Sequence, residues 1–237
     1  MSPSSIAVRW RLAAAMALGL LSTCASASAW PRVALPAQAQ VHAVDSVIVI
    51  DGLPVRMQGF VTPLARAEAA AWFRHSLGAP LVENRLGPKL VIGKARGDYF
   101  VSVQLEALEN GTRAVVAVAH LAGAIAQRPA LEAANQRLLL RMPGGTRVLS
   151  RLAAVDGPRS ASHVILSNGH DTRLNSDQLV RMLHADGMQL EHQAEGLQGR
   201  TLLFKGQHGE AMAVVARQRD GLTHIVLNVT TYREASQ

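Results

Sequence analysis

Six Asx-Gly pairs punctuate this chain, and the order in which four of them recur constrains the fold more than any other feature. Asp51-Gly52 recurs as Asp156-Gly157 and Asn110-Gly111 recurs as Asp220-Gly221. Gly78 and Gly97 likewise recur as Gly187 and Gly209, at spacings of roughly 105–112 residues. Asp-Gly between apolar runs signals a β-hairpin, because a type I′ turn needs positive φ at both central residues. A chain punctuated twice in the same order reads as two tandem copies of a small α+β module. Each would hold a hairpin, one helix and three antiparallel strands, arranged with pseudo-symmetry.

In the first copy, the β-branched run Val47-Ile48-Val49-Ile50 leads into Asp51-Gly52. Thr62 then supplies an N-cap with Pro63 at the first helical position. Ala65, Ala69, Trp72, Phe73 and Leu77 share one helix face before Gly78 and Pro80 end it. Lys89 to Ile92, Tyr99 to Leu108 and Thr112 to Ala119 read as strands. Tyr99, Val101, Val103 and Leu105 alternate with more polar neighbours, which predicts one buried face. In the second copy, strands are expected at Leu152 to Val155, His163 to Leu166, Thr201 to Lys205, Glu210 to Gln218 and Thr223 to Val229. Asn175, with Gln178 at the third position, reads as the helix cap. The connector, with Pro129 and Pro143-Gly144-Gly145, reads as a short helix running into a strand.

The organisation expected is a signal peptide over 1–29, a flexible lead-in over 30–40, a first repeat over 41–122, the connector over 123–145, a second repeat over 146–232 and a tail over 233–237. Arg9 and Arg11 precede the apolar run Leu12 to Leu21, and Ala27-Ser28-Ala29 forms an A-x-A-like cleavage site before Trp30. The apolar run is shorter than the ~20 residues a membrane-spanning helix needs, so the mature chain is expected to carry no transmembrane anchor and to reside in the periplasm. A lipoprotein leader through Cys24, the only cysteine, is the alternative. Cleavage at Trp30 would leave a chain without disulfides, held by an ordinary core.

Loss of Arg9 and Arg11 takes the basic count from 24 to 22 against 17 acidic residues, so the net charge falls from +7 to +5. Only Lys89, Lys94 and Lys205 are lysines, and the arginines are scattered singly with few aromatics between them. That pattern argues against nucleic-acid binding, which wants clustered cations and stacking rings.

Chemistry is sparse. Six of nine histidines lie between His163 and His224, but none shows the HExxH spacing of a zinc helix, and His184 and His192 are separated by Gly187. The loop Ser167-Asn168-Gly169-His170-Asp171 holds the residue types of a hydrolase, yet its adjacency in sequence fits a turn as well as a triad. There is no G-x-S-x-G elbow, and Gly93 to Gly97 lacks the spacing of a phosphate loop. The pairs Glu106/Glu109 and Glu191/Glu195 read as solvated faces. No catalytic residue, cofactor or metal is expected.

Two features read as interaction surface. Trp72 sits at the margin of the apolar helix stripe. Thr223, Ile225, Leu227, Val229 and Tyr232 lie on a long closing strand with no proline to blunt it as a sheet edge, so that edge is expected to be covered either by the other repeat or by a partner strand. An exported, duplicated α+β module of this kind looks like accessory proteins of envelope machines such as pili and secretion systems, an analogy of architecture alone. The expectation is a non-enzymatic periplasmic binding or assembly protein with an envelope protein as partner. The alternative is a periplasmic hydrolase whose site converges from both repeats near His163 to His192.

Overall fold

A computed structural model describes residues 30–42 and 47–232, which from Pro31 onward form one unit. The leader, Cys24 and the 233–237 tail lie outside the described residues. The β-branched run forms β2 (Val47–Ile50), which turns through Asp51-Gly52 into β3 (Leu53–Thr62). Both turn residues have positive φ, 48° at Asp51 and 82° at Gly52, as a primed turn requires. β1 (Gln40–Val41) pairs with the far end of β3. Helix α1 (Arg66–Leu77) follows, then β4 (Val82–Leu86), β5 (Lys89–Arg96), β6 (Tyr99–Leu108) and β7 (Gly111–His120). Helix α2 (Leu121–Leu139) leads into β8 (Arg147–Asp156) and β9 (Arg159–Asn168). Helix α3 (Thr172–Ala185) and strands β10 (Met188–Gly196), β11 (Gly199–Gly206), β12 (Gly209–Arg217) and β13 (Thr223–Tyr232) complete the chain.

The expectation of two helix-plus-sheet modules is overturned: all thirteen described strands belong to one sheet. Its order is β10-β11-β12-β13-β9-β8-β2-β3-β7-β6-β5-β4, with β1 beside β3. The cause is a seam at the centre. β2 and β8 pair antiparallel, Ile48 with Ala154 and Val49 with Ala153, so two edges that separate modules would leave bare are satisfied by each other. Asp51 locks this seam, because its Oδ1 accepts the Arg151 N–H at 2.7 Å while its own N–H donates to the Arg151 carbonyl at 2.8 Å.

All three helices lie on one face. Strand pairing carries the same face from Val101, Val103 and Leu105 in β6, through Val116 and Phe60, across the seam to Val164, Ile225, Val215 and Leu202, the one bulge in these ladders falling between Val148 and Ser150 of β8. α1 packs on β5 to β7, α2 spans β3, β6 and β8 near the seam, and α3 covers β10 to β12. Burial concentrates under α1 and under α3, where Leu179, Met182 and Leu183 meet Leu166, Phe204 and Val215.

Several local expectations are corrected. Thr62 ends β3 and α1 begins at Arg66, with the Glu68 carboxylate accepting the Ala65 N–H at 2.9 Å. α3 is capped by Asp171, whose Oδ1 takes the Leu174 N–H at 2.7 Å, and Asn175 is buried inside the helix. Gln178 donates to the Arg141 carbonyl at 2.6 Å instead of closing a capping box. The connector is a 19-residue helix carrying Pro129 in its interior, with no strand before Gly144. Three strands are not revealed by the sequence pattern: β1, at the end of the expected lead-in, and the two edge strands β4 and β10. β4 and β10 are the sheet's outer edges, and nearly every residue in them is exposed, so they show no alternation.

Lys94 shows how α1 is stopped. Its Nζ donates to the carbonyls of Leu77 (2.7 Å), Gly78 (2.8 Å) and Ala79 (3.1 Å), acceptors that a helix end leaves unpaired. Arg74 reaches from the same last turn to Glu83 on β4 through paired bonds of 2.6 and 2.8 Å, which hold the Glu83 carboxyl below the usual carboxylate range. Lys94→Met, which keeps the stem and removes the ammonium, is expected to cost about 2 kcal/mol in urea unfolding, the scale of hydrogen bonds to a charged group. A loss below ~0.5 kcal/mol would show that water replaces the ammonium at these carbonyls.

Candidate functional site

The closing strand is not an edge. β13 pairs with β12 on one side and with β9 on the other along its length. The reason is the path of the chain: α3 carries it out to the edge position of β10, and three hairpins then step back inward, ending beside β9. Thr223, Ile225 and Leu227 are buried on the helix side, Val229 is half-buried, and Tyr232 is 39% exposed. The Thr223 hydroxyl donates to the His170 carbonyl at 2.6 Å. Tyr232 accepts from Arg159 at 3.2 Å and donates to Glu210 at 3.3 Å. Trp72 is half-buried on α1, with its ring edge-on to Phe73 at 4.8 Å.

The loop Ser167 to Asp171 is consumed in holding itself. The side-chain amides of Asn168 and Asn175 bond reciprocally at 2.8 and 3.0 Å, and Asn168 also donates to Thr146 Oγ1 at 3.0 Å. The His170 ring donates from Nε2 to the Gly144 carbonyl at 2.8 Å, and Asp171 is the α3 cap. The Ser167 hydroxyl is buried without a partner among the described residues. The side chains of Asn168, His170 and Asp171 are thus bound to backbone and to neighbouring polar groups, which makes a rigid β9–α3 junction.

The face opposite the helices is the larger feature. Side chains there form rows across the strands: His163, Asn228, Met212, Leu203 and His192 in one, Ile165, Val226, Val214 and Thr201 in the next. No helix among the described residues covers them. Met212 is 40% and Leu203 38% exposed, while His163 is fixed by donating Nδ1–H to Asn228 Oδ1 at 2.5 Å. The following row runs Ser167, His224, Ala216 and Gly199, and His224 lines a groove of about 650 Å³ at the strand ends. Its walls are the β10–β11 turn, with Leu197 and Gln198, and the β12–β13 turn, with Arg217, Gln218, Arg219 and Asp220. Arg217 is held there by donating to the carbonyls of Gly169 (3.4 Å) and His170 (3.1 Å).

None of the groove residues stands among the candidates read from the sequence. The signal available was Arg217-Gln218-Arg219 before Asp220-Gly221, two cations flanking a turn, which scattered arginines elsewhere disguise. Among the described residues no group of three or more His, Cys, Asp or Glu side chains is placed to hold a metal. No helix there is long and apolar enough to cross a membrane. No protein-family model, curated protein or solved structure matches this chain.

Proposed function

We propose that this is an exported, non-enzymatic binding or assembly protein of the cell envelope that receives a protein partner on the helix-free face of its sheet. The observation that carries this reading is the placement of all three helices on one face, which leaves the row through Met212 and Leu203 open to solvent. Exposed apolar side chains gathered on one surface and rimmed by polar rows mark interaction sites on soluble proteins. The leader, with Arg9, Arg11 and the Ala27-Ser28-Ala29 site, supports delivery to the periplasm. An accessory role in an envelope machine such as a pilus or secretion system fits a rigid sheet that presents a surface.

The test is site-specific photo-crosslinking in living cells, with the photoreactive residue at Met212 or Leu203 and a control at Arg173, exposed on α3. A discrete adduct recovered from the periplasmic fraction, formed from 212 and 203 and missing from 173, is the expected outcome. Equal adducts from both faces, or none from the sheet face, would overturn the proposal.

A further inference from the structure

We infer that the strand-end groove binds an acidic peptide segment of the partner, one with an apolar residue next to its carboxylates. The inference rests on the proposed binding role and names the chemistry of what is bound. The first support is charge. Arg217 and Arg219 both line the groove, and Asp220 is its lone carboxylate. One oxygen of Asp220 is already engaged by the Leu222 N–H at 2.9 Å. Arg219 makes no hydrogen bond or ion pair within the described residues, so its guanidinium meets a ligand without first breaking a protein contact.

The second support is preorganisation. Arg217 directs Nη1 at the Gly169 and His170 carbonyls and the Thr223 hydroxyl, which fixes its side chain, while its Nε and Nη2 make no hydrogen bond within the described residues. An arginine held in place loses less rotamer entropy on binding, and planar pairing with a carboxylate is its characteristic strength. Thr223 and the Asn168–Asn175 pair rigidify the same loop, so the carbonyls that hold Arg217 are themselves fixed.

Shape and lining favour a peptide over a small free anion. A volume of about 650 Å³ is far more than one phosphate or carboxylate fills, and lies within the range of sites for larger ligands. The side chains of Gln198 and Gln218 offer amides that can donate to and accept from a peptide backbone. Leu197 stands fully exposed at the rim, an apolar contact that an inorganic ion has no use for. Recognition of acidic motifs by arginine clusters is a recurring mode of peptide binding. His224 links the groove to the open face, so a partner lying on the sheet can place such a segment here.

The experiment is fluorescence anisotropy of a labelled Glu-Glu-Leu-Glu-Glu-Gly peptide with the mature protein, compared at low and physiological salt. The Gln-Gln-Leu-Gln-Gln-Gly peptide is the neutral control. Saturable binding with Kd in the submillimolar range is expected for the acidic peptide, weakening with salt. Arg219→Glu should weaken it at least about tenfold, because it replaces an attraction by a repulsion, and Arg173→Glu, with the same charge change on the helix side, less than about twofold. Leu197→Ser, at a position that supports nothing in the fold, should weaken it about threefold. Equal losses from the two arginine variants, binding of the neutral peptide as tightly as the acidic one, or no saturation at millimolar protein would each overturn the inference. The crosslinks from Met212 and Leu203 do not depend on Arg219. Their survival alongside a failed peptide titration would reject the groove assignment alone, and their loss alongside successful binding would reject the face assignment alone.

Discussion

Phe73→Ala is expected to remove about 3–5 kcal/mol of unfolding free energy, the range for deleting a fully buried aromatic side chain. Phe73 is 0% exposed, with its ring 6.0 Å from that of Phe60 on β3. α1 buries only Ala69, Ala70, Phe73 and Leu77, so half of its large anchors go with this one substitution. Short alanines leave nothing that can collapse into the space. With a denaturant slope of ~2–3 kcal/mol/M in urea, the midpoint should fall by more than 1 M. Trp72→Ala is the internal control. Its ring is half-buried at the helix margin, and a loss of about 1 kcal/mol is expected there. Comparable losses at both positions would mean that α1 docks through its flank and that the burial assigned to Phe73 is wrong.

Asn175→Ala should cost about 2–4 kcal/mol, although it deletes only a small polar side chain. The amide of Asn175 joins Asn168 through two bonds and also donates to the Asp171 carbonyl at 2.9 Å. Its removal strands an Asn168 N–H in a site where both asparagines are 3% exposed or less. A buried donor without an acceptor carries its full desolvation cost. Asn168→Ala should cost a similar amount, and the double variant clearly less than the sum, because the second substitution removes the group the first left unpaired. Strict additivity in this cycle would dismiss the network as an energetic unit. The same substitution reaches the groove, since Arg217 leans on the Gly169 and His170 carbonyls of this loop. Acidic-peptide binding by Asn175→Ala should therefore weaken along with stability, while Phe73→Ala, on the other side of the seam, should leave it intact as long as the protein is folded.

What could be read along the chain was local. Asp51-Gly52 forms the turn its residue types demand, with both φ values positive. Asn110-Gly111 behaves differently: Leu108 pairs with Gly111, which puts Glu109-Asn110 at the turn and leaves Gly111 at φ 130°. A Cβ at Gly111 would lie 2.2 Å from the Thr62 carbonyl oxygen, so this glycine answers to a neighbouring strand end that no short sequence window contains. The alternation from Tyr99 to Leu105 marks the buried side of β6. β4 and β10 have no such mark, because an exposed edge strand imposes no period on its residues.

The candidate site was less legible for a related reason. β13 alternates in the same way whether it ends a sheet or sits in the middle, since burial of one face sets the pattern and pairing of the edges leaves no trace in it. Thr223, Ile225, Leu227, Val229 and Tyr232 thus read as an edge and fold as an interior strand. The groove brings Leu197 beside Arg219 and His224 only because β11, β12 and β13 stack in register.

By itself the amino-acid sequence determined the Asp51-Gly52 turn, the strand alternation and the Gly78-to-Pro80 break after α1, all of which follow from sterics and periodicity within a few residues. Tertiary structure alone decided that β2 meets β8, that one sheet forms in place of two, that the helices share a face, and where the groove opens. Those outcomes depend on which distant edges and surfaces satisfy one another, and backbone hydrogen bonds between strands some hundred residues apart carry no side-chain signature.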